Sequence, residues 1–134
     1  MDKKLTGLIF VFFLTVSLFV SLLIFNQPLS RFTRAKEEFT PSKEKSLIFA
    51  WPLNTKINNQ VTINVFVRNE KGIPLANKNV ILRSTLGNIF PNSATTDKSG
   101  KVTFNLVSDN PGIAEVSAIV EGNFLNQKVS IKFE

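Results

Sequence analysis

Two patterns of apolar and polar residues divide the chain. Residues Leu5 to Phe25 read LTGLIFVFFLTVSLFVSLLIF and contain no charge. At about 1.5 Å rise per residue, a helix of this length just spans a hydrocarbon core of about 30 Å. Thr6, Thr15, Ser17 and Ser21 are its mild polar breaks, so the run is apolar all round, which fits lipid rather than one face of a soluble core. The segment is predicted to be a transmembrane helix over 5–25 behind a four-residue stub, 1–4. A cleaved secretory signal is the rival reading. Its apolar region is usually about 7–15 residues, shorter than this one. The following Asn26-Gln27-Pro28-Leu29-Ser30-Arg31 offers no small-x-small cleavage pattern, so an uncleaved anchor is expected.

Residues 26–46 are polar, mixed in charge and punctuated by Pro28 and Pro41, which predicts a juxtamembrane linker with one helical turn near 34–39. From residue 47 the period becomes two. In QVTINVFVR, Val61, Ile63, Val65 and Val67 alternate with Thr62, Asn64, Phe66 and Arg68, so one set faces a core. The same alternation puts Val80 and Leu82 inward, then Val102, Phe104 and Leu106, then Ala114, Val116, Ala118 and Val120, and finally Val129, Ile131 and Phe133. Turn chemistry separates these runs: Asn69–Pro74 with Gly72, Asp97-Lys98-Ser99-Gly100, and Asp109-Asn110-Pro111-Gly112. With Leu47–Trp51 and Asn88–Phe90 added, about seven antiparallel strands are expected over 47–134, each with one buried face. That is the pattern of an all-β, two-layer sandwich.

Composition narrows the chemistry. The chain has 134 residues, no cysteine and no histidine. Disulfide and thiolate chemistry are thereby excluded, and the commonest general base and transition-metal ligand are missing. The net charge of +6 is spread along the chain and tyrosine is absent, which argues against a nucleic-acid stripe of cations and stacking rings. Asp97 and Asp109 stand in separate turns without D-x-D spacing, so they read as turn caps rather than calcium ligands. Ser99-Gly100 and Ser108-Asp109 lack a G-x-S-x-G elbow as well as a histidine. No catalytic residue, cofactor or metal is expected.

The segments VTINVFVRNEKGIPLANKNVIL, STLGNIFPNSATTDKSGKVTFNL and SDNPGIAEVSAIV, with the closing strand, resemble the group 1 bacterial immunoglobulin-like domains of invasin and intimin. Ala94-Thr95-Thr96-Asp97-Lys98-Ser99-Gly100 is the most specific part of the likeness. The resemblance implies an immunoglobulin-like antiparallel β-sandwich and a setting at the bacterial cell surface or in the periplasm. It also implies a role as a spacer or display module, without implying a site.

The flanking charges do not give the orientation: Lys3 and Lys4 favour an N-terminus inside, but Arg31, Arg34 and Lys36 compete with them and by count slightly favour the reverse. The resemblance favours an N-terminus inside and a C-terminal domain outside the cytoplasmic membrane. The expected role is therefore a non-enzymatic, single-pass membrane protein whose module serves structure, adhesion or protein interaction. Its expected partners are the bilayer, through 5–25, and a protein or surface polymer. The alternative is a subunit or accessory domain of a larger envelope assembly or envelope enzyme. Trp51, Phe66 and Phe90 are the candidates for a partner surface. Against that role, Trp51 is expected to pack over the open end of the sandwich, and cross-strand pairing accounts for Phe66 and Phe90.

Overall fold

The computed structural model describes the backbone of residues 2–134 and the side chains of residues 2–23 and 38–134. One helix and nine strands are found among them, in two compact units, residues 1–37 and 38–134.

The first unit is helical. Helix α1 runs Lys3–Phe39, and its first turn is closed by the Asp2 carbonyl, which accepts from the Leu5 and Thr6 N–H groups. Lys3–Leu23 is long and apolar enough to cross a membrane, and none of it is buried within the protein. Phe10, Phe12, Phe13 and Phe19 are each more than 60% exposed. Removing each such ring from water is worth about 1.5–3 kcal/mol, so this segment gains far more from lipid than from solvent. The expected span reached Phe25, and residues 24 and 25 fall outside the described side chains, as do 26–37 of the expected linker. The backbone helix is continuous from the span to Phe39, where only a single separate turn near 34–39 was expected. Ala35, Lys36, Glu37 and Glu38 are all good helix formers, a signal masked in the sequence by Pro28 and Pro41.

In the second unit, the alternation of the sequence becomes rows of inward side chains. The strands are β1 (Leu47–Trp51), β2 (Asn54–Thr55), β3 (Val61–Phe66), β4 (Asn79–Ser84), β5 (Asn88–Phe90), β6 (Ser93–Thr95), β7 (Lys101–Val107), β8 (Gly112–Val120) and β9 (Asn123–Phe133). They form a four-stranded sheet, β1-β3-β7-β5, and a five-stranded sheet, β2-β9-β8-β4-β6. Val61, Ile63, Val65, Phe104 and Leu106 of the first sheet meet Val80, Ala114, Val116, Ala118 and Ile131 of the second, all fully buried. The small Ala114 and Ala118 leave room for Phe104 and Phe133, the large rings of the core.

The strand count is nine rather than about seven, because β2 and β6 are too short to show a period. The pairing is not wholly antiparallel either: β2 runs parallel to β9, with Asn54 opposite Lys132 and Thr55 opposite Phe133. β9 begins at Asn123, four residues earlier than its alternating run suggests, because a tight connection at Glu121-Gly122, both at positive φ, pairs Asn123 directly with Val120.

The predicted turns hold the body together. Asn69 is buried, and its Oδ1 accepts from the Lys71 and Ile73 N–H groups, while its Nδ2 donates to the Glu38 carbonyl. Ser42 and Ser46 are also buried; the Ser42 N–H and Ser46 hydroxyl both donate to the Arg68 carbonyl. Residues 38–46, expected as the end of the linker, are thus built into the folded unit.

Candidate interaction surface

Register places the three candidate residues on one side of one sheet. In β1, Ile48 is buried, so Leu47, Phe49 and Trp51 face outward. In β3, Thr62, Asn64 and Phe66 share that face, opposite the buried Val61, Ile63 and Val65. Trp51 pairs with Thr62, Thr62 with Asn105, and Asn105 with Phe90, so Trp51 and Phe90 end the same cross-strand row. At about 4.8 Å per strand the row spans about 14 Å. Trp51 precedes a cis proline, Pro52, and Phe90 another, Pro91.

Trp51 is 79% exposed. The expectation that it packs over the open end of the sandwich therefore fails. Its strand phase aims the indole away from the core, and Ile48 and Ala50 take the inward positions. Phe90 is 60% exposed. Phe66 does have the cross-strand explanation: its ring meets Phe49 edge-on, with centroids 6.0 Å apart and planes at 75°. Phe49, 52% exposed, belongs to this surface and was not anticipated. LIFAW is apolar at every position, so alternation could not say which residues of β1 face out.

Hydroxyl and amide groups lie between the rings. The Thr103 hydroxyl donates to Asn64 Oδ1 at 2.8 Å, which leaves the Asn64 amide N–H groups as donors. Thr62 and Asn105 show no side-chain partner among the described residues. Lys101 is the one charged residue among the outward positions of the four strands. Beyond the margin at Phe90 is a shallow pocket of about 280 Å³ that Ser84, Asn88 and Asn92 help to line.

The acids have structural work elsewhere. Asp97 Oδ1 accepts from the Ser99 hydroxyl at 2.6 Å, the Ser99 N–H at 2.8 Å and the Lys101 N–H at 3.0 Å. The Ser99 hydroxyl, with the Lys101 N–H next, holds this carboxyl below its ordinary value. Asp97 thus caps its turn, as expected. Glu134 is also held low, by the Lys132 ammonium at 2.7 Å and then by Asn54. No group of acids able to hold a metal ion occurs among the described residues.

The fold and this open face define an immunoglobulin-like β-sandwich module. Residues 57–134 match the model of the bacterial Ig-like domain, group 1, and the chain belongs to that family. Among solved structures it is similar to the adhesin InvE of Yersinia pseudotuberculosis, at 26% identity and a TM-score of 0.64, over 71% of this chain and 28% of that one. It is similar to invasin, a bacterial integrin-binding protein, at 29% identity and a TM-score of 0.61, over 70% of this chain and 20% of that one. A C-terminal fragment of intimin, solved with the intimin-binding domain of the translocated intimin receptor, matches at 26% identity and a TM-score of 0.56, over 70% of this chain and 33% of the fragment. The match thus covers a third or less of each of these proteins. Comparison with curated proteins finds no match.

Proposed function

We propose that this chain is a single-pass membrane protein that displays one bacterial Ig-like module outside the cytoplasmic membrane, with its N-terminus inside. The observation that carries this reading is the join, in one chain, of an all-round apolar helix and a sandwich of a family whose solved members include adhesins. In this reading residues 5–25 are the anchor, 26–37 connect it to the body, and the module, 47–134, with its built-in lead segment 38–46 is displayed on the cell surface or in the periplasm. The module is non-enzymatic and acts in structure, adhesion or protein interaction. Its partner surface is the face that carries Trp51, Phe66 and Phe90.

Membership of a larger envelope assembly through strand addition is the less favoured reading, because the sheet margins offer little backbone. β2 has two residues, and β5 and β6 have three each. At the remaining margin, β1, the Ile48 N–H already donates to Gln127 Oε1 at 3.1 Å.

Alkaline extraction and protease shaving of intact and wall-stripped cells test the proposal. The full-length chain should stay with the membrane after extraction, and the sandwich should be digested without lysis. A soluble chain shortened at its N-terminus, or a sandwich protected until lysis, would contradict it.

A further inference from the structure

We infer that the outward face of the four-stranded sheet binds an uncharged glycan chain of β-linked, equatorially substituted pyranoses. This rests on the reading of that face as the partner surface and names the chemistry that fits it. Trp51 and Phe90 close the two ends of one cross-strand row, and Thr62 and Asn105 fill the space between them. A pyranose with equatorial substituents has two flat C–H faces, which stack on aromatic rings, and a rim of hydroxyls, which pair with amides and hydroxyls. The row runs ring, hydroxyl, amide, ring, which matches that amphipathic outline. The Asn64 amide, fixed by Thr103, adds donors in the adjacent row.

Charge selects the occupant. The chain carries 16 basic and 10 acidic residues, yet Lys101 is the sole charge among the outward positions of these strands. An uncharged polymer is the electrostatic complement of such a face, whereas an anionic polymer or a highly charged peptide would find no counter-charges along the row. A bilayer is also a poor fit. Pressing this face into hydrocarbon would bury the Thr62 and Asn105 polar groups without partners, which is unfavourable. Past the sheet margin, the pocket near Phe90 continues the same chemistry with Asn88 and Asn92.

Trp51 is the only tryptophan, so indole emission reports directly on this face. The test titrates the full chain in lipid nanodiscs with the β-1,4-linked hexamer of N-acetylglucosamine, with cellohexaose, and with α-linked maltohexaose as control. A saturable emission change is expected with at least one β-linked sugar and not with maltohexaose. It should weaken about tenfold in Phe90→Ala and in Asn105→Ala, with thermal unfolding confirming that both variants fold. No response to either β-linked sugar would overturn the inference, as would a response equal in wild type and both variants. An emission shift produced only by added phosphatidylglycerol vesicles, or only by raising protein concentration, would overturn it in favour of a lipid surface or a second copy. The titration does not depend on topology, so its failure would leave the anchoring result standing on its own.

Discussion

The two outward faces of the sandwich share one core and differ in almost everything else. The four-stranded sheet presents exposed rings with threonine and asparagine between them. The five-stranded sheet presents Arg83, Glu115, Lys128 and Lys132, with Glu115 and Lys128 joined at 2.6 Å. Of its outward apolar residues, Ile81, Ile119 and Phe124 lie in one row across β4, β8 and β9, and Ile113 stands apart from them opposite Lys132. A sandwich needs only its inward positions for stability, so each outer face is free to follow a separate purpose. Dense mixed charge keeps one face soluble. The near-absence of charge on the other leaves it suited to contact.

The comparison depends on register, and the largest effect is expected where register is set. Gly100 has φ +72, and an added Cβ would lie 2.6 Å from the Val67 carbonyl oxygen, across the turn that starts β7. Gly100→Ala should cost at least about 1–3 kcal/mol in denaturant unfolding. A slip of one residue in β7 would turn Thr103 and Asn105 inward, erasing the contrast between the faces. Unchanged stability would mean that the turn is not what fixes the face.

On the neutral face, Phe66→Ala removes the edge-on partner of Phe49. A loss of about 0.5–1.5 kcal/mol beyond the change in buried area is expected, nearly independent of salt. On the charged face, Lys128→Met should cost about 0–1 kcal/mol at low salt and nothing measurable in 1 M salt, because both members of its ion pair are about half exposed. Opposite salt responses in the two variants would undo the assignment of the faces.

The smallest effect concerns pH. The folded Asp97 carboxyl titrates below its ordinary value of 3.8. Its contribution is therefore complete above that value and is lost as pH falls through the lower folded one. Asp97→Asn should flatten the stability profile below about pH 4 while leaving the fluorescence of Trp51 unchanged. A difference between wild type and variant that grows as pH falls would reverse the sign and contradict this account of the cap.

Much of the sandwich was legible in the sequence because β3, β4, β7 and β8 each have polar residues on one face, so alternation fixes their phase. The turns were legible because Gly72, Gly100 and the Asn69 and Asp97 side chains each do something few other residues can. β2 and β6 could not be read, since two or three residues carry no period. The candidate face was half legible. Phe66 and Phe90 were placed outward by phase, whereas Trp51 and Phe49 sit in a strand that is apolar on both sides, where only pairing with Thr62 and Asn64 reveals direction. The role of residues 38–46 was hidden as well, because it rests on long-range bonds to Asn69 and Arg68 rather than on local pattern.

The claim that the four-stranded face is the working surface is tested most directly by photo-crosslinking in living cells. A photoreactive residue is placed at Thr103 on that face and, in a second strain, at Lys128 on the other; both positions are exposed. The account predicts a discrete or polymer-like adduct from position 103 that is lost in Trp51→Ala, and little from position 128. Equal adducts from both positions, or adducts from 128 alone, would contradict it.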